Sequence, residues 1–402
     1  MTYLEKLKAV RIKMLAEDID AYIIPSSDPH MSEYVPDCYK CIHFASGFSG
    51  SAGTLVITAN FAGLWTDFRY FEQAKQELAG SGFELVKLKV QHTPEYIDWL
   101  YENLPSGAVV AFDFKLISLM LAEEINSSLS AKHIVISNLN LLDEIWENRP
   151  ALPSSKAFLL PDAQCGQRFD IKLQSLRSAM INNRSSLHVI SSLDDIAWLF
   201  NIRGNDVVYN PVVLCYAIIT LASATLYINA DKFLPADLKK ILADGIVVKG
   251  YDEVNDDLAS LRNCSLLLDA KRTCYHFFTL LSSSVKVIRD TSPLVHLKAI
   301  KNSVEIANIR NAMIKDGVAL TRFLKWLEEN VGKINITEMS AADKLETFRK
   351  RAENFMGSSF TAISGYGPHA ALPHYAPSEQ SNLQLLPKGL FLLDTGGQYL
   401  YG

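Results

Sequence analysis

The sequence is poor in cysteine and has no excess of positive charge, and each absence excludes a class of protein. Six cysteines are spread over 402 residues, too few for a scaffold held together by disulfides. Lysine and arginine total 39 against 44 for aspartate and glutamate, which makes the net charge −5. Because such a chain has little to neutralise a phosphate backbone, we do not expect nucleic acid as a partner.

The chain also has no apolar run typical of a signal peptide or a membrane span. Its start, MTYLEKLKAV, places charges where a signal peptide is apolar. The uncharged stretch 207–230 is long enough to cross a bilayer, but it contains Asn210-Pro211 and is rich in β-branched residues. We interpret it as two buried strands joined by a turn. We therefore expect a cytoplasmic protein without a membrane partner.

Two short motifs suggest binding sites, and neither is complete. Cys38 and Cys41 form a CxxC, but the sequence has no second CxxC to complete a zinc site. The residues from Cys41 onward, Cys-Ile-His-Phe, are typical of a strand rather than of a redox helix, so we expect two ordinary thiols. The glycines of FASGFSGSAG precede a β-branched strand, whereas a phosphate cradle leads into a helix.

Polar stretches with proline, at 148–155 and 289–293, divide the chain into domains predicted at 1–150, 156–291 and 293–402. The first two show a loose repeat, in which an apolar strand (AYIIP or LHVIS) is followed by a polar break and a pair of strands. The third begins with Asn302 and Glu305 in a capping-box arrangement, followed by apolar residues at helical spacing. The pattern predicts two related α/β domains, followed by helices laid over a sheet.

Three residues are candidates for a functional site. Asp394 ends the apolar strand GLFLLD before a Gly-Gly turn, where it would present a carboxylate at a sheet rim or form an Asx turn. His374, between two prolines in PHYAP, is placed either to donate to a substrate carbonyl or bind metal, or to be an exposed loop histidine. Arg69 falls in a first helical turn, where the macrodipole disfavours a cation. A carboxylate of its own domain or a ligand could hold it there.

The LLDTG around Asp394 also fits half of the aspartic protease signature. That interpretation fails because no second DTG or DSG is present to complete the carboxylate pair.

Seven sequence blocks, in order, resemble the long three-domain form of the Xaa-Pro aminopeptidases (aminopeptidase P), within the creatinase and prolidase "pita-bread" superfamily. The blocks are DAYIIPSSDPHMSEY, FASGFSGSAGTLVIT, WTDFRYFEQA, DIAWLFNIRGNDVVYNPV, EIANIRNAMIKDGVAL, HYAP and LLDTGGQY. The fold class that this resemblance implies is α/β: two related creatinase-N-like domains followed by the first part of a pita-bread catalytic domain.

The resemblance implies an enzyme that removes the N-terminal residue from peptides with proline second. It also implies a dinuclear metal centre, commonly manganese, and a homodimer. Asp394 matches the first aspartate among the family's metal ligands, and His374 matches the catalytic histidine that contacts the substrate. Arg69 matches the first-domain arginine that reaches the peptide, although Phe68 stands where the family commonly has glycine, so the shape of that loop is left open.

The family's remaining metal ligands, a second aspartate, a histidine and two glutamates, would follow the point where this sequence stops. We therefore expect a chain truncated within its catalytic domain and inactive as given. The alternative is a non-catalytic pita-bread protein that binds a partner, but such a protein has no reason to keep both HYAP and DTGGQY.

Overall fold

The computed structural model describes all 402 residues, which form two compact units. Unit 1 consists of Met1–Leu159, Phe169–Val208 and Val212–Ala299. Unit 2 consists of Leu160–Arg168, Tyr209–Pro211 and Ile300–Gly402. None of the helices has the length and apolar character that a membrane crossing requires.

Unit 1 begins with a six-stranded sheet flanked by helices. Its elements in chain order are α1 (Tyr3–Ala16), β1 (Ala21–Pro25), α2 (Cys41–Ser46), β2 (Thr54–Thr58), β3 (Ala62–Thr66), α3 (Phe71–Glu77), β4 (Glu84–Lys87), α4 (Tyr96–Asn103), β5 (Val109–Phe112), α5 (Leu119–Leu129) and β6 (Val135–Asn138). The strand order is β4-β3-β2-β1-β5-β6. β2 is antiparallel to both neighbours, and the other neighbouring pairs are parallel.

Both faces of this first sheet are covered, which explains its continuous apolar strands. Ile24 and Leu55 belong to one buried cluster, whereas Ile23 and Val56 belong to another. Successive side chains of a strand point to opposite faces, so each strand supplies both clusters. A strand buried on both faces has no need of alternating polar residues.

A second six-stranded sheet follows in unit 1. Its elements are β7 (Phe158–Leu159), α7 (Phe169–Asn182), β8 (Leu187–Ile190), α8 (Leu193–Leu199), β9 (Ile202–Arg203), β10 (Tyr216–Thr220), β11 (Ala224–Tyr227), α9 (Pro235–Ala243), β12 (Ile246–Lys249), α10 (Glu253–Ser260), β13 (Ser265–Leu268), α11 (Tyr275–Thr279), β14 (Lys286–Arg289) and α12 (Pro293–Ala299). The order β12-β11-β10-β8-β13-β14 repeats that of the first sheet, with the same parallel and antiparallel pairs. The loose sequence repeat is therefore a repeat of topology.

The uncharged stretch 207–230 forms β10 and β11, as predicted from its β-branched residues. The expectation of a strand from Cys41 onward is wrong, because Cys41 opens helix α2. Ile42 and Ala45 of this helix are buried in the core, and this packing outweighs the β-propensity of the local sequence. Burial raises the pKa of the Cys41 thiol to about 12, so it is not a reactive thiolate at neutral pH.

The two sheets of unit 1 are joined by main-chain hydrogen bonds. The Tyr275 amide donates to the Ile117 carbonyl at 2.8 Å, and the Leu119 amide donates to the Thr273 carbonyl at 2.9 Å. These bonds link the segment around α5 to the segment around α11. The domain boundaries proposed near residues 150 and 292 remain predictions.

Unit 2 contains α6 (Asp162–Cys165), α13 (Ser303–Asn330), α14 (Glu338–Arg349), β15 (Phe355–Ser358), β16 (Ile363–Tyr366), β17 (Phe391–Asp394) and β18 (Gly397–Tyr399). β15 pairs with β18 and β16 pairs with β17, both antiparallel. Its core is a small cluster of buried residues: Phe323, Ile336, Ala341, Leu345 and Leu385.

The long helix predicted after Asn302 is confirmed as α13. The Asn302 side chain accepts from the Glu305 amide, and the Glu305 side chain accepts from the Asn302 amide, which is the expected capping box. Its apolar face is largely uncovered, since Met313 is 68% exposed and Leu324 53% exposed. The helical spacing thus predicts the helix correctly, although most of its apolar face does not join the core.

Candidate functional site

Asp394 is the last residue of strand β17 and is exposed. In the pairing of β16 with β17 it lies opposite Ile363, at the end of the register. Thr395 and Gly396 connect β17 to β18. The predicted carboxylate at the end of a strand is confirmed, whereas the predicted Gly-Gly turn is not, because residues 395–396 form no turn and Gly397 begins β18.

A buried arginine holds Thr395, the residue that follows Asp394. Arg349, the last residue of α14, is 1% exposed. Its Nη1 donates to Thr395 Oγ1 at 2.6 Å and its Nη2 to the Thr395 carbonyl at 3.3 Å. Its Nε and Nη2 also donate to the Asp316 carboxylate at 2.7 and 3.1 Å, a paired geometry that compensates the buried charge. The residue after Asp394 is therefore fixed to helices α13 and α14.

His374 lies in the segment that joins β16 to β17 and is exposed. Its backbone has φ +56°, in the left-handed region. This conformation costs a residue other than glycine about 1–3 kcal/mol, so the surrounding chain must impose it. The next residue, Tyr375, is half-buried, and its ring lies 4.4 Å from that of His369, centroid to centroid.

The segment that carries His374 is attached to a fully buried carboxylate, Glu338. Glu338 Oε1 accepts from the Tyr366 amide at 2.7 Å and from His369 Nδ1 at 2.9 Å. Its Oε2 accepts from the Tyr375 hydroxyl at 2.9 Å and from the Leu383 amide at 3.0 Å. All four donors come from residues on either side of His374.

These hydrogen bonds keep Glu338 ionised. Burial by itself would raise its pKa, but the Leu383 and Tyr366 amides, with His369 and Tyr375, stabilise the carboxylate, and the pKa is lowered from its ordinary value. Burial also raises the pKa of Tyr375 to about 12, and the nearby Glu338 carboxylate adds to that rise. The Tyr375 hydroxyl therefore stays protonated and able to donate.

Arg69 lies in unit 1, in a 3₁₀ helix (Phe68–Tyr70) whose N-cap is Asp67. Its Nε and Nη2 donate to the two oxygens of Asp67, each at 2.8 Å. These bonds and the Arg69 amide lower the pKa of Asp67 against the effect of burial. The ion pair within the domain, one of the two sequence alternatives, is thus confirmed. Phe68, which stands where the resembling family commonly has glycine, is 61% exposed and does not disturb the core.

Known protein families match three consecutive regions that together span nearly the whole chain. Residues 6–145 match the creatinase/prolidase N-terminal domain, and residues 148–305 match a second profile of that description. Residues 307–402 match the metallopeptidase family M24. The chain is 38% identical over 412 aligned residues to a probable Xaa-Pro aminopeptidase P of Aspergillus clavatus, covering 99% of this chain and 62% of the relative. It is 37% identical to the corresponding protein of Paracoccidioides lutzii, of which it covers 67%.

A solved structure agrees with these matches. The crystal structure of X-prolyl aminopeptidase from Caenorhabditis elegans, described as a cytosolic enzyme with a di-nuclear active site, superposes with a TM-score of 0.94 at 32% identity. The superposition covers 100% of this chain and 68% of the Caenorhabditis elegans chain. The chain belongs to the Xaa-Pro aminopeptidase P family.

Membership of the Xaa-Pro aminopeptidase P family confirms the resemblance and the fold class that it implied. The chain spans about 62% of the length of the Aspergillus relative. The substrate, partner and site assignments taken from the resemblance therefore remain proposals.

The residues present do not by themselves form a di-nuclear centre like the one described for the Caenorhabditis elegans enzyme. No group of three or more histidine, cysteine, aspartate or glutamate side chains is placed to hold a metal ion. Asp394 offers a single carboxylate, whereas a divalent cation takes several ligands. Residues 1–402 therefore provide one candidate ligand of such a metal site, Asp394, but not a complete set of ligands.

Sequence reasoning missed Glu338 and Arg349. A glutamate in the first turn of a helix and an arginine in the last are usual on exposed ends, where they complement the macrodipole. Nothing in their local pattern indicates that both are buried.

Proposed function

We propose that the protein is a metal-dependent Xaa-Pro aminopeptidase, which removes the N-terminal residue from peptides with proline in second position. The observation that carries this proposal is the match of all 402 residues to the X-prolyl aminopeptidase of Caenorhabditis elegans, at a TM-score of 0.94 and 32% identity. The family resemblance extends the proposal to two divalent cations, manganese by preference, to a homodimer and to a cytoplasmic location.

In this proposal, each of the three candidate residues has a separate role. Asp394, exposed at the end of β17, is one metal ligand. His374 contacts the peptide and donates a hydrogen bond at the reacting centre, where a positioned donor stabilises developing charge. Arg69 binds the peptide away from that centre. Its pairing with Asp67 holds the guanidinium in one orientation.

The test uses the full-length protein and two matched tripeptides, one with proline and one with alanine in second position. We expect cleavage of the first bond in the proline peptide alone. We also expect that a chelator abolishes this cleavage and that added Mn²⁺ restores it. A metal-replete, folded protein that cleaves neither peptide would contradict the proposal and favour a non-catalytic protein.

Two substitutions separate the proposed roles. His374→Ala should lower kcat on the order of a hundredfold while the metal content stays unchanged, whereas Asp394→Asn should lower the metal content itself. Glu379→Ala, in the same segment and also exposed, is the matched control and should change neither. Loss of bound metal in His374→Ala would instead make this histidine a ligand.

Arg69→Ala tests the peptide-binding role. We expect KM to rise more for longer peptides than for dipeptides, because Arg69 is proposed to bind the peptide beyond the scissile bond. Lys75→Ala, an exposed cation of the neighbouring helix α3, is the control. Unchanged kinetics together with a lower Tm would make Arg69 a structural partner of Asp67 only.

The same proposal extends to residues 1–402 expressed alone, which we expect to be inactive. One carboxylate, Asp394, does not retain two divalent cations. Metal-dependent turnover of the proline peptide by this purified chain would contradict that expectation.

A further inference from the structure

Glu338 occupies an unusual place for a first-turn glutamate. It begins α14, and it is completely buried. An ionised carboxylate is costly to bury unless hydrogen bonds replace its water. At Glu338 four donors do so, and every one of them belongs to residues 366–383.

The four donors lie on both sides of His374. Tyr366 and His369 precede it, and Tyr375 and Leu383 follow it. The Glu338 carboxylate therefore links the part of residues 366–383 before His374 to the part after it. These two parts form no strand pair with each other. A loop attached at several points loses much of the conformational freedom that a free loop of this length has.

The attachment reaches the residue next to His374. The hydroxyl of Tyr375 lies 2.9 Å from both Glu338 Oε2 and Ser381 Oγ. The Ser381 hydroxyl in turn accepts from the Ser378 amide at 3.0 Å. With the Tyr375 ring held inward and the His374 backbone in the left-handed region, His374 is set on the exposed side of the chain.

The main chain of Glu338 strengthens the same attachment. Its amide donates to the Leu383 carbonyl at 3.0 Å, and its carbonyl accepts from the buried Ser364 hydroxyl at 2.7 Å. The following amide, of Met339, donates to Asn382 Oδ1 at 3.0 Å. The start of α14 is thus bonded both to β16, before the segment, and to the residues that end it.

We propose that Glu338 is a positioning residue for His374, acting through Tyr375 and His369 to hold the histidine in the orientation used on the peptide. This inference rests on the proposed function, since His374 must contact substrate for its position to matter. In this proposal Glu338 does not touch the substrate, and its effect on turnover passes through His374. Its bonds to β16, which pairs with β17 up to Asp394, offer a second route, and the dependence of its effect on His374 separates the two.

The first test measures the attachment without any activity. In Glu338→Gln the side chain keeps one acceptor oxygen and presents an amide N–H₂ to donors that need an acceptor, so part of the network is lost. By hydrogen exchange we expect the amides of residues 366–383 to exchange at least about tenfold faster, and the core amides of α13 to keep their rates. Unchanged exchange in this segment, or a general loss of protection throughout unit 2, would overturn the proposal.

The second test is a double-mutant cycle in the full-length protein, with kcat measured per folded, metal-loaded molecule. Glu338→Gln alone should lower kcat about ten- to a hundredfold, because a misplaced contact group loses most of its effect. In a His374→Ala background the same change should lower kcat by less than about twofold. A purely structural glutamate would lower activity by the same factor in both backgrounds, and that result would overturn the proposal.

Glu346→Gln is the matched control. Glu346 lies on the same helix and pairs with Lys350 at 3.0 Å on the surface. We expect this variant to match the unsubstituted protein in exchange and in kcat. The two tests also separate this proposal from the proposed function: an inactive wild-type protein contradicts the function, whereas normal kcat in Glu338→Gln with a loosened segment contradicts only the positioning role.

Discussion

Units 1 and 2 bury apolar surface in different ways. Unit 1 contains two six-stranded sheets with the same strand order, and buried clusters lie on both faces of the first sheet. Unit 2 contains two sheets of two strands each and a single cluster of five buried apolar residues. Since buried apolar area is the main source of stability, at roughly 25 cal/mol per Å², unit 1 should be the more stable of the two.

The same contrast appears in the helices. Helix α1 packs Leu7, Val10 and Met14 into the first core, whereas α13, twice as long, buries only Ala319 and Phe323. An apolar face at helical spacing therefore predicts where a helix forms. It does not predict which part of the protein covers that face.

Phe323→Ala should destabilise unit 2 and leave unit 1 folded. Phe323 is fully buried in the small cluster of unit 2, and truncating a buried phenylalanine costs about 3–5 kcal/mol. We expect fast hydrogen exchange throughout α13 and α14, with unchanged exchange in β1 and β8. Met313→Ala, on the exposed face of α13, is the control and should change stability by less than about 0.5 kcal/mol. Unfolding of both units together in Phe323→Ala would show that they are one cooperative unit.

Lys232→Met tests the buried ion pair of unit 1. Lys232 donates to Asp206, which also accepts from the Leu214 amide at 2.7 Å and the Ser155 hydroxyl at 2.5 Å. Removing the lysine charge leaves a buried carboxylate unpaired, which costs about 3–5 kcal/mol in denaturant unfolding. Lys232→Met combined with Asp206→Leu should recover much of this loss. A small loss in the single variant would show that the charge of Lys232 is not needed to hold Asp206 in the core.

Acid should destabilise unit 1 through His188. Its imidazole is buried between the Leu267 carbonyl and the Ser292 hydroxyl, and burial lowers its pKa to about 4. As the pH falls below about 6.5, the unfolded chain takes up a proton that the folded chain does not. The free energy of unfolding of unit 1 therefore falls by on the order of 3 kcal/mol between about pH 6.5 and pH 4.

The measurement for His188 is the free energy of unfolding of unit 1 between pH 7 and pH 4. In His188→Gln we expect the free energy of unfolding to depend less on pH than in the unsubstituted protein. The pH dependence that remains should come in part from the buried His30, whose pKa is also lowered by burial. An equal slope in His188→Gln and in the unsubstituted protein would exclude His188 as its cause.

The smallest effect is expected at the surface of unit 1. Arg289 donates to both oxygens of Glu123, at 2.6 and 2.7 Å, but the two side chains are 46% and 35% exposed. Glu123→Gln should cost no more than about 1 kcal/mol at low salt, and nothing measurable at 1 M salt. A larger cost that persists in salt would mean that this pair, together with the main-chain bonds between α5 and α11, determines how the two sheets associate.

Much of the fold and one part of the candidate site were predictable from local pattern. The apolar strands, the capping box at Asn302 and the strand ending at Asp394 follow from short-range chemistry. Each needs only neighbours a few residues away: a run of apolar, β-branched residues or a side chain that caps a helix. The strand order does not, because it depends on pairings between residues far apart in the chain, such as Ala21 with Val110. The helix at Cys41 was missed because its burial in the core, and not its local preference, decides its conformation.

What the sequence alone determined, then, is which residues are candidates: Asp394 on a strand end, His374 in a loop between prolines and Arg69 beside an N-cap aspartate. Only the tertiary structure decided how they are held. Glu338 and Arg349 stand at the two ends of α14, and their partners lie tens of residues away, at Leu383 and Thr395. Burial turns two ordinary helix-end charges into the attachments of the candidate site, because a charge removed from water must find its hydrogen bonds in the protein.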